Sequence, residues 1–137
     1  METERLEQEL ALLRSAYPDL DYLLVDGAAH WVRIPAYLMP SGWAYQGASV
    51  ASAEIAFQIP EQAGQAPYAF YVRPPFTLAT GGTPSNYTTS ATTPWGGDFA
   101  QFSWAPNEPW VPKADIRAGA NMLNFARSFT ERLEEPS

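Results

Sequence analysis

The side chains available for chemistry are few in kind. The chain has no cysteine and a single histidine, His30. Thiolate nucleophiles, disulfides and cysteine-ligated metals are excluded, and a histidine-rich metal site cannot be built within one chain. Catalysis would have to run on hydroxyls, carboxylates, amides or one imidazole. The hydroxyls are concentrated, with seven Ser and Thr between Thr83 and Thr93. Asp98 and Glu108 are the two charges between Pro74 and Pro112. Loop Ser and Thr are ordinarily turn formers, so each must be weighed against that role. A Ser-His-Asp hydrolase is disfavoured because no serine sits in a G-x-S-x-G elbow. His30 is expected to be structural, with Asp26 across a turn as its nearest carboxylate in sequence.

Around this segment the pattern predicts an α+β domain. Leu6, Leu10, Leu13 and Tyr17 fall at helical spacing, which predicts an amphipathic helix over 3–17 that Pro18 stops. A fully apolar strand is expected at Tyr22–Val25, a hairpin turn at Asp26-Gly27, and a second strand at His30–Pro35. In that second strand Trp31 and Arg33 share the face opposite His30, Val32 and Ile34. The connection 35–49 is expected to bury Tyr37, Leu38 and Trp43 over a sheet edge. Strands three and four are expected at Ser49–Ile59 and Tyr68–Arg73. Ile55, Phe57 and Ile59 lie on one face, and Pro74-Pro75 ends the last strand. Together these make an antiparallel meander of four strands. A long irregular loop follows, held by Tyr87, Trp95, Phe99, Phe102, Trp104 and Trp110, since aromatics need burial. A second helix over 113–133 packs an apolar face on the sheet. Gly119 within it is expected to permit close approach.

At 137 residues one domain is expected, with its core over about 3–133. The net charge is −7, with eight dispersed Lys and Arg, which disfavours nucleic acid and anionic membrane surfaces as partners. No apolar run is long enough to span a bilayer, and METERLEQEL lacks an apolar leader core. A cytoplasmic protein with no cofactor and no metal is the expectation.

The order helix, four-strand meander, Pro-Pro stop, irregular segment with tryptophan, then helix resembles the ubiquitin-conjugating enzyme fold of the UBC/RWD superfamily. Tyr68-Ala69-Phe70-Tyr71-Val72-Arg73-Pro74-Pro75 resembles that family's fourth strand and Pro-Pro motif. Thr83-Pro84-Ser85-Asn86 lies near the spacing of its His-Pro-Asn motif, with Thr in place of His and one residue inserted before Asn. Phe102-Ser103-Trp104, followed by Trp110-Val111-Pro112, resembles the Trp that precedes the second helix. The series Ile34-Pro35, Gly42, Ile59-Pro60, Pro74-Pro75 and FSW is most similar to the prokaryotic E2-type family E. The resemblance covers residues 20–133. It departs at the chemistry: the family's thioester-forming cysteine would fall within 90–97, and none exists, so thioester transfer is excluded.

The resemblance implies a bacterial conjugation pathway with a ubiquitin-like protein, a ThiF-type activating enzyme and a JAB-type peptidase, a setting often tied to antiphage defence. Two roles follow from it. One is a hydroxyl carrier forming an oxyester on Ser90, with Asn86 as oxyanion donor and Asp98 as base, and with Ser85, Thr92 and Ser103 as alternates. The other is a catalytically silent adaptor that binds these partners through the first helix and the loop around Trp43 and Tyr45. Outside the resemblance, a small-ligand or glycan-binding domain would use the aromatic loop 83–110, with Trp95 as the stacking residue.

Overall fold

The computed structural model describes residues 3–62, 64–106 and 108–134. In chain order its elements are α1 (Thr3–Ala16), β1 (Asp21–Val25), β2 (Ala29–Leu38), β3 (Trp43–Tyr45), β4 (Ala48–Ser49), β5 (Ser52–Ile59), β6 (Phe70–Arg73), β7 (Thr77–Leu78), β8 (Tyr87–Thr93), β9 (Gly96–Phe102) and α2 (Met122–Glu134). Six strands form an antiparallel sheet in the order β1-β2-β5-β6-β9-β8, and β4-β3-β7 form a small second sheet. The class is α+β. The four-strand meander is present as β1-β2-β5-β6. The main sheet nevertheless has six strands, because residues 87–102 of the expected irregular loop form the hairpin β8–β9.

Strand alternation sorts the core. Val32, Ile34, Ile55, Phe57, Phe70 and Val72 all lie in one buried cluster with Leu13, Met122, Phe125 and Phe129 of the helices. Both helices therefore cover the same face. Phe129 stacks on Phe70 at 4.2 Å between ring centroids and meets Phe57 edge-on at 5.4 Å. Asp26 and Gly27 both take positive φ (54° and 71°), and the Ala28 N–H donates to the Val25 carbonyl at 3.1 Å, as a hairpin turn requires. Strand β6 ends at Arg73, before Pro74-Pro75, as expected.

Several expectations are corrected. The expected strand at Tyr22–Val25 is present but starts at Asp21 and lies at the sheet edge, with Leu23 and Leu24 exposed at 41% and 49%. Leu38 points to solvent, 80% exposed, while Tyr37 and Trp43 are buried as expected. The partner of His30 is a residue that sequence reading did not single out: its Nδ1 lies 2.7 Å from the Tyr22 hydroxyl. The second helix begins at Met122 rather than 113. Asn121 caps it, its Oδ1 accepting from the Asn124 N–H at 2.9 Å. The Met122 N–H donates to Oε1 of Glu9 at 3.2 Å. Burial pushes the Glu9 carboxyl above its usual pKa, against the pull of the Met122 N–H and of Arg5.

Gly119 thus lies outside the helix, where the chain passes close to itself. A Cβ there would meet the Val111 carbonyl oxygen at 2.6 Å and the Lys113 backbone nitrogen at 2.8 Å. In an exposed helix interior Gly→Ala is worth about 1 kcal/mol of stabilisation. Here the sign reverses: Gly119→Ala is expected to destabilise by about 1–3 kcal/mol, because backbone must move to make room. The urea midpoint of the variant measures which sign holds.

Candidate functional site

The hydroxyl-rich segment forms most of β8, and its candidates fall at irregularities of the β8–β9 hairpin. Thr88 pairs with Gln101 and Ala91 with Phe99, so Thr89 and Ser90 face Ala100 alone. Ala91 pairs with Phe99 and Thr93 with Gly96, so Thr92 faces Gly97 and Asp98. Each mismatch is a bulge, and Ser90 and Asp98 take the positive φ values (64° and 63°) that go with it. Ser90, Thr92 and Asp98 are exposed.

The structure brings Ser90 and Asp98 onto adjacent bulges of one hairpin. It leaves Asn86 at the hairpin base, where its carbonyl accepts from the Ser103 N–H at 3.0 Å. Asn86 lies just before β8, with three residues between it and Ser90, and the first bulge falls between Thr88 and Ala91. Ser85 is exposed, and its carbonyl accepts from Arg132. Among the described residues no hydrogen bond reaches the side chains of Ser90, Asn86 or Asp98. A serine without a positioned base is a weak nucleophile.

A second constellation lies on the sheet face opposite the helices. Arg33 donates from Nε and Nη2 to Oδ2 of Asp21 (2.9 and 2.7 Å) and from Nη1 to Oε2 of Glu54 (2.6 Å). Arg73 donates from Nε and Nη2 to the two oxygens of Glu54 (2.7 and 2.8 Å). The row Asp21–Arg33–Glu54–Arg73 thus crosses β1, β2, β5 and β6. Burial alone would raise the Glu54 carboxyl, but hydrogen bonds from Arg73 and Arg33 outweigh it and hold its pKa below the usual value. Burial disfavours the Arg33 charge, yet Glu54 and Asp21 together hold its pKa above the usual value.

An apolar row runs beside these charges. Trp31, Ala56 and Phe99 are buried there, with Tyr71, Ala91 and Trp95 packed against them. Trp31 and Tyr71 lie 5.4 Å apart between centroids. Pro94-Trp95 forms the two-residue turn between β8 and β9, and the bulges bend this tip over the face. Arg73 donates to the Trp95 and Gly97 carbonyls (3.1 and 3.2 Å), its guanidinium lies 4.4 Å from the Phe99 ring, and that of Arg33 lies 6.0 Å from Trp95.

The aromatic loop is divided by the fold. Trp95 belongs to this face. Trp104 and Trp110 instead line a cleft of about 650 Å³ against α2, with Phe125, Arg117, Asn124 and Glu131. A single stacking surface over 83–110 is therefore not formed. Trp43 is 2% exposed and donates its indole N–H to the Leu133 carbonyl at 3.0 Å, so it cannot be a contact residue; Tyr45 remains exposed. The charge ladder was not anticipated. Its only trace in sequence is that Arg33, Glu54 and Arg73 each alternate with buried apolar neighbours on their strands.

Among the described residues no group of three or more His, Asp or Glu is placed to hold a metal, and no helix is long and apolar enough to cross a membrane. No family model, curated protein or solved structure matches the chain.

Glu54 gives the site a pH signature. Its folded pKa is depressed, so its contribution to stability is present above the unfolded carboxylate value, about 4.3, and is lost as pH falls through the folded pKa. Glu54→Gln is expected to lower the urea midpoint at pH 7 and to flatten its decline below about pH 4.3. Urea titrations of both proteins across pH 2–7 (about five values) would check this.

Proposed function

We propose that the chain is a catalytically silent adaptor of ubiquitin-conjugating type, working beside a ThiF-type activating enzyme and a ubiquitin-like protein. The observation that carries this is the sheet face opposite the helices, where an ordered row of two arginines and two carboxylates runs beside the half-buried Tyr71 and Trp95. Arginine and tryptophan are the residues that most often dominate protein–protein binding energy. Held by Glu54, the arginines are fixed before a partner arrives, which lowers the ordering cost of binding. The absence of cysteine, and the lack of a hydrogen-bonded base at Ser90 among the described residues, support a binding role over a transfer role.

A hydroxyl carrier is the second reading, favoured by one observation: Ser90 and Asp98 are exposed on adjacent bulges, and bulges commonly re-aim side chains beside active sites. In that reading Asp98 is the base.

The two readings separate in one incubation with ATP, a ThiF-type activating enzyme and a mature ubiquitin-like protein, followed by intact-mass measurement and calorimetry. The adaptor predicts binding with no covalent adduct, weakened about tenfold or more by Trp95→Ala. A mass increase that mild hydroxide removes and Ser90→Ala abolishes would establish the carrier instead. Neither adduct nor binding would end both.

A further inference from the structure

The two edges of the main sheet are built differently. At one edge, the pairing of β8 with β9 is broken by two bulges, one on each strand, and β8 reads Thr88-Thr89-Ser90 before Ala91. Bulges and polar side chains are the usual means of keeping an edge from pairing with another chain. The other edge, β1, has neither protection. Its five residues pair with β2 in unbroken register, Asp21↔Arg33 to Val25↔Ala29. The strand holds no Pro, Lys or Arg, and Asp21 is engaged by Arg33. Leu23 and Leu24 point to opposite faces and are both exposed. The strand is also anchored at two points, by the Asp21–Arg33 ion pair and by the Tyr22 hydroxyl at His30. It is a preformed strand with a free outer edge among the described residues.

We infer that β1 pairs with β1 of a second copy of this chain, antiparallel about a two-fold axis at Leu23, to give a continuous twelve-stranded sheet. The argument for a second copy is self-complementarity. Side chains directly opposite must share a face, so the register that uses the whole strand sets Leu23 against Leu23, Tyr22 against Leu24 and Asp21 against Val25. Asp26 then faces Leu20, and Asp19 faces Gly27. No carboxylate opposes a carboxylate, although three lie within 19–26. Like charges directly opposite would oppose pairing. Pairing covers both exposed leucines and gives the outer N–H and C=O groups partners. The dimer is expected to be weak, because five residues make a short contact and each chain carries −7. Added salt should strengthen it by screening that repulsion.

Sedimentation velocity across a concentration series, at low and moderate salt, tests this on the full chain. A reversible monomer–dimer equilibrium that tightens with salt is expected. The variant Leu23→Lys/Leu24→Lys changes two exposed positions and should raise the dissociation constant by about tenfold or more, since edge lysines block strand pairing. Thr89→Lys, on the opposite edge, should leave it unchanged. Backbone hydrogen exchange of the unaltered chain gives an independent readout, with outward amides of β1 slowing as concentration rises. A monomer at about 1 mM, near the weakest affinity such a contact could usefully have, would overturn the inference. So would a dimer that the leucine variant leaves intact, or one that Thr89→Lys disrupts instead.

Discussion

Phe129 sits where the two layers meet. Its ring stacks on Phe70 and lies edge-on to Phe57 and Phe125, and Phe70 in turn stacks on Phe102 at 5.0 Å. Three strands, β5, β6 and β9, are thereby tied to one helix through aromatic rings packed with almost no exposure. Removing such a ring from a core typically costs about 3–5 kcal/mol, a large part of a small domain's stability. This packing also determines what is left over. Both helices are committed to one face of the sheet, so the opposite face must be covered by other means.

The coverage on that face is partial, and its chemistry differs from the core's. Charges in a half-buried setting are tolerable when each is paired and hydrogen-bonded. The ladder meets that condition with two carboxylates for two guanidinium groups, and Arg73 spends its remaining donors on the hairpin-tip carbonyls. The bulges serve the same end. A straight hairpin would continue past the end of β6, whereas the bent one brings Trp95 back over Arg33. The segment richest in hydroxyls is therefore part of the sheet's cover, and its irregular backbone has a structural reason beside any chemical one.

What was legible in the sequence follows from this division. The helix-facing side was readable because alternation in β2, β5 and β6 is clean and its apolar residues are large. The β8–β9 hairpin was not, because Thr, Ser and Ala carry little contrast between faces and two bulges break the period. The extended second helix was a false continuation: Ile116 and Ala120 keep helical spacing, but Asn121 caps a helix that starts after them. Of the candidate site, the positions of Ser90 and Asp98 near one another were foreshadowed by their closeness in sequence. The ladder was hidden because Asp21, Arg33, Glu54 and Arg73 become neighbours only through strand register. The burial of Trp43 was expected from its size, which already weighed against its use as a contact.

The cap on α2 has a bearing on how the chain acquires its fold. Glu9 reaches the Met122 N–H across 113 positions, and Arg5 donates to the carbonyls of Lys113 and Ala120. Contacts so distant in sequence form late, because a long loop must close before they reward it. During synthesis α1 is made more than 100 residues before the groups that receive its buried carboxylate and half-buried guanidinium. The helix must wait in water, with its apolar stripe uncovered, until the start of α2 has been made. Glu4 and Glu7, exposed in the fold, help to hold that stretch in water meanwhile, so these glutamates serve a nascent chain as well as a folded one.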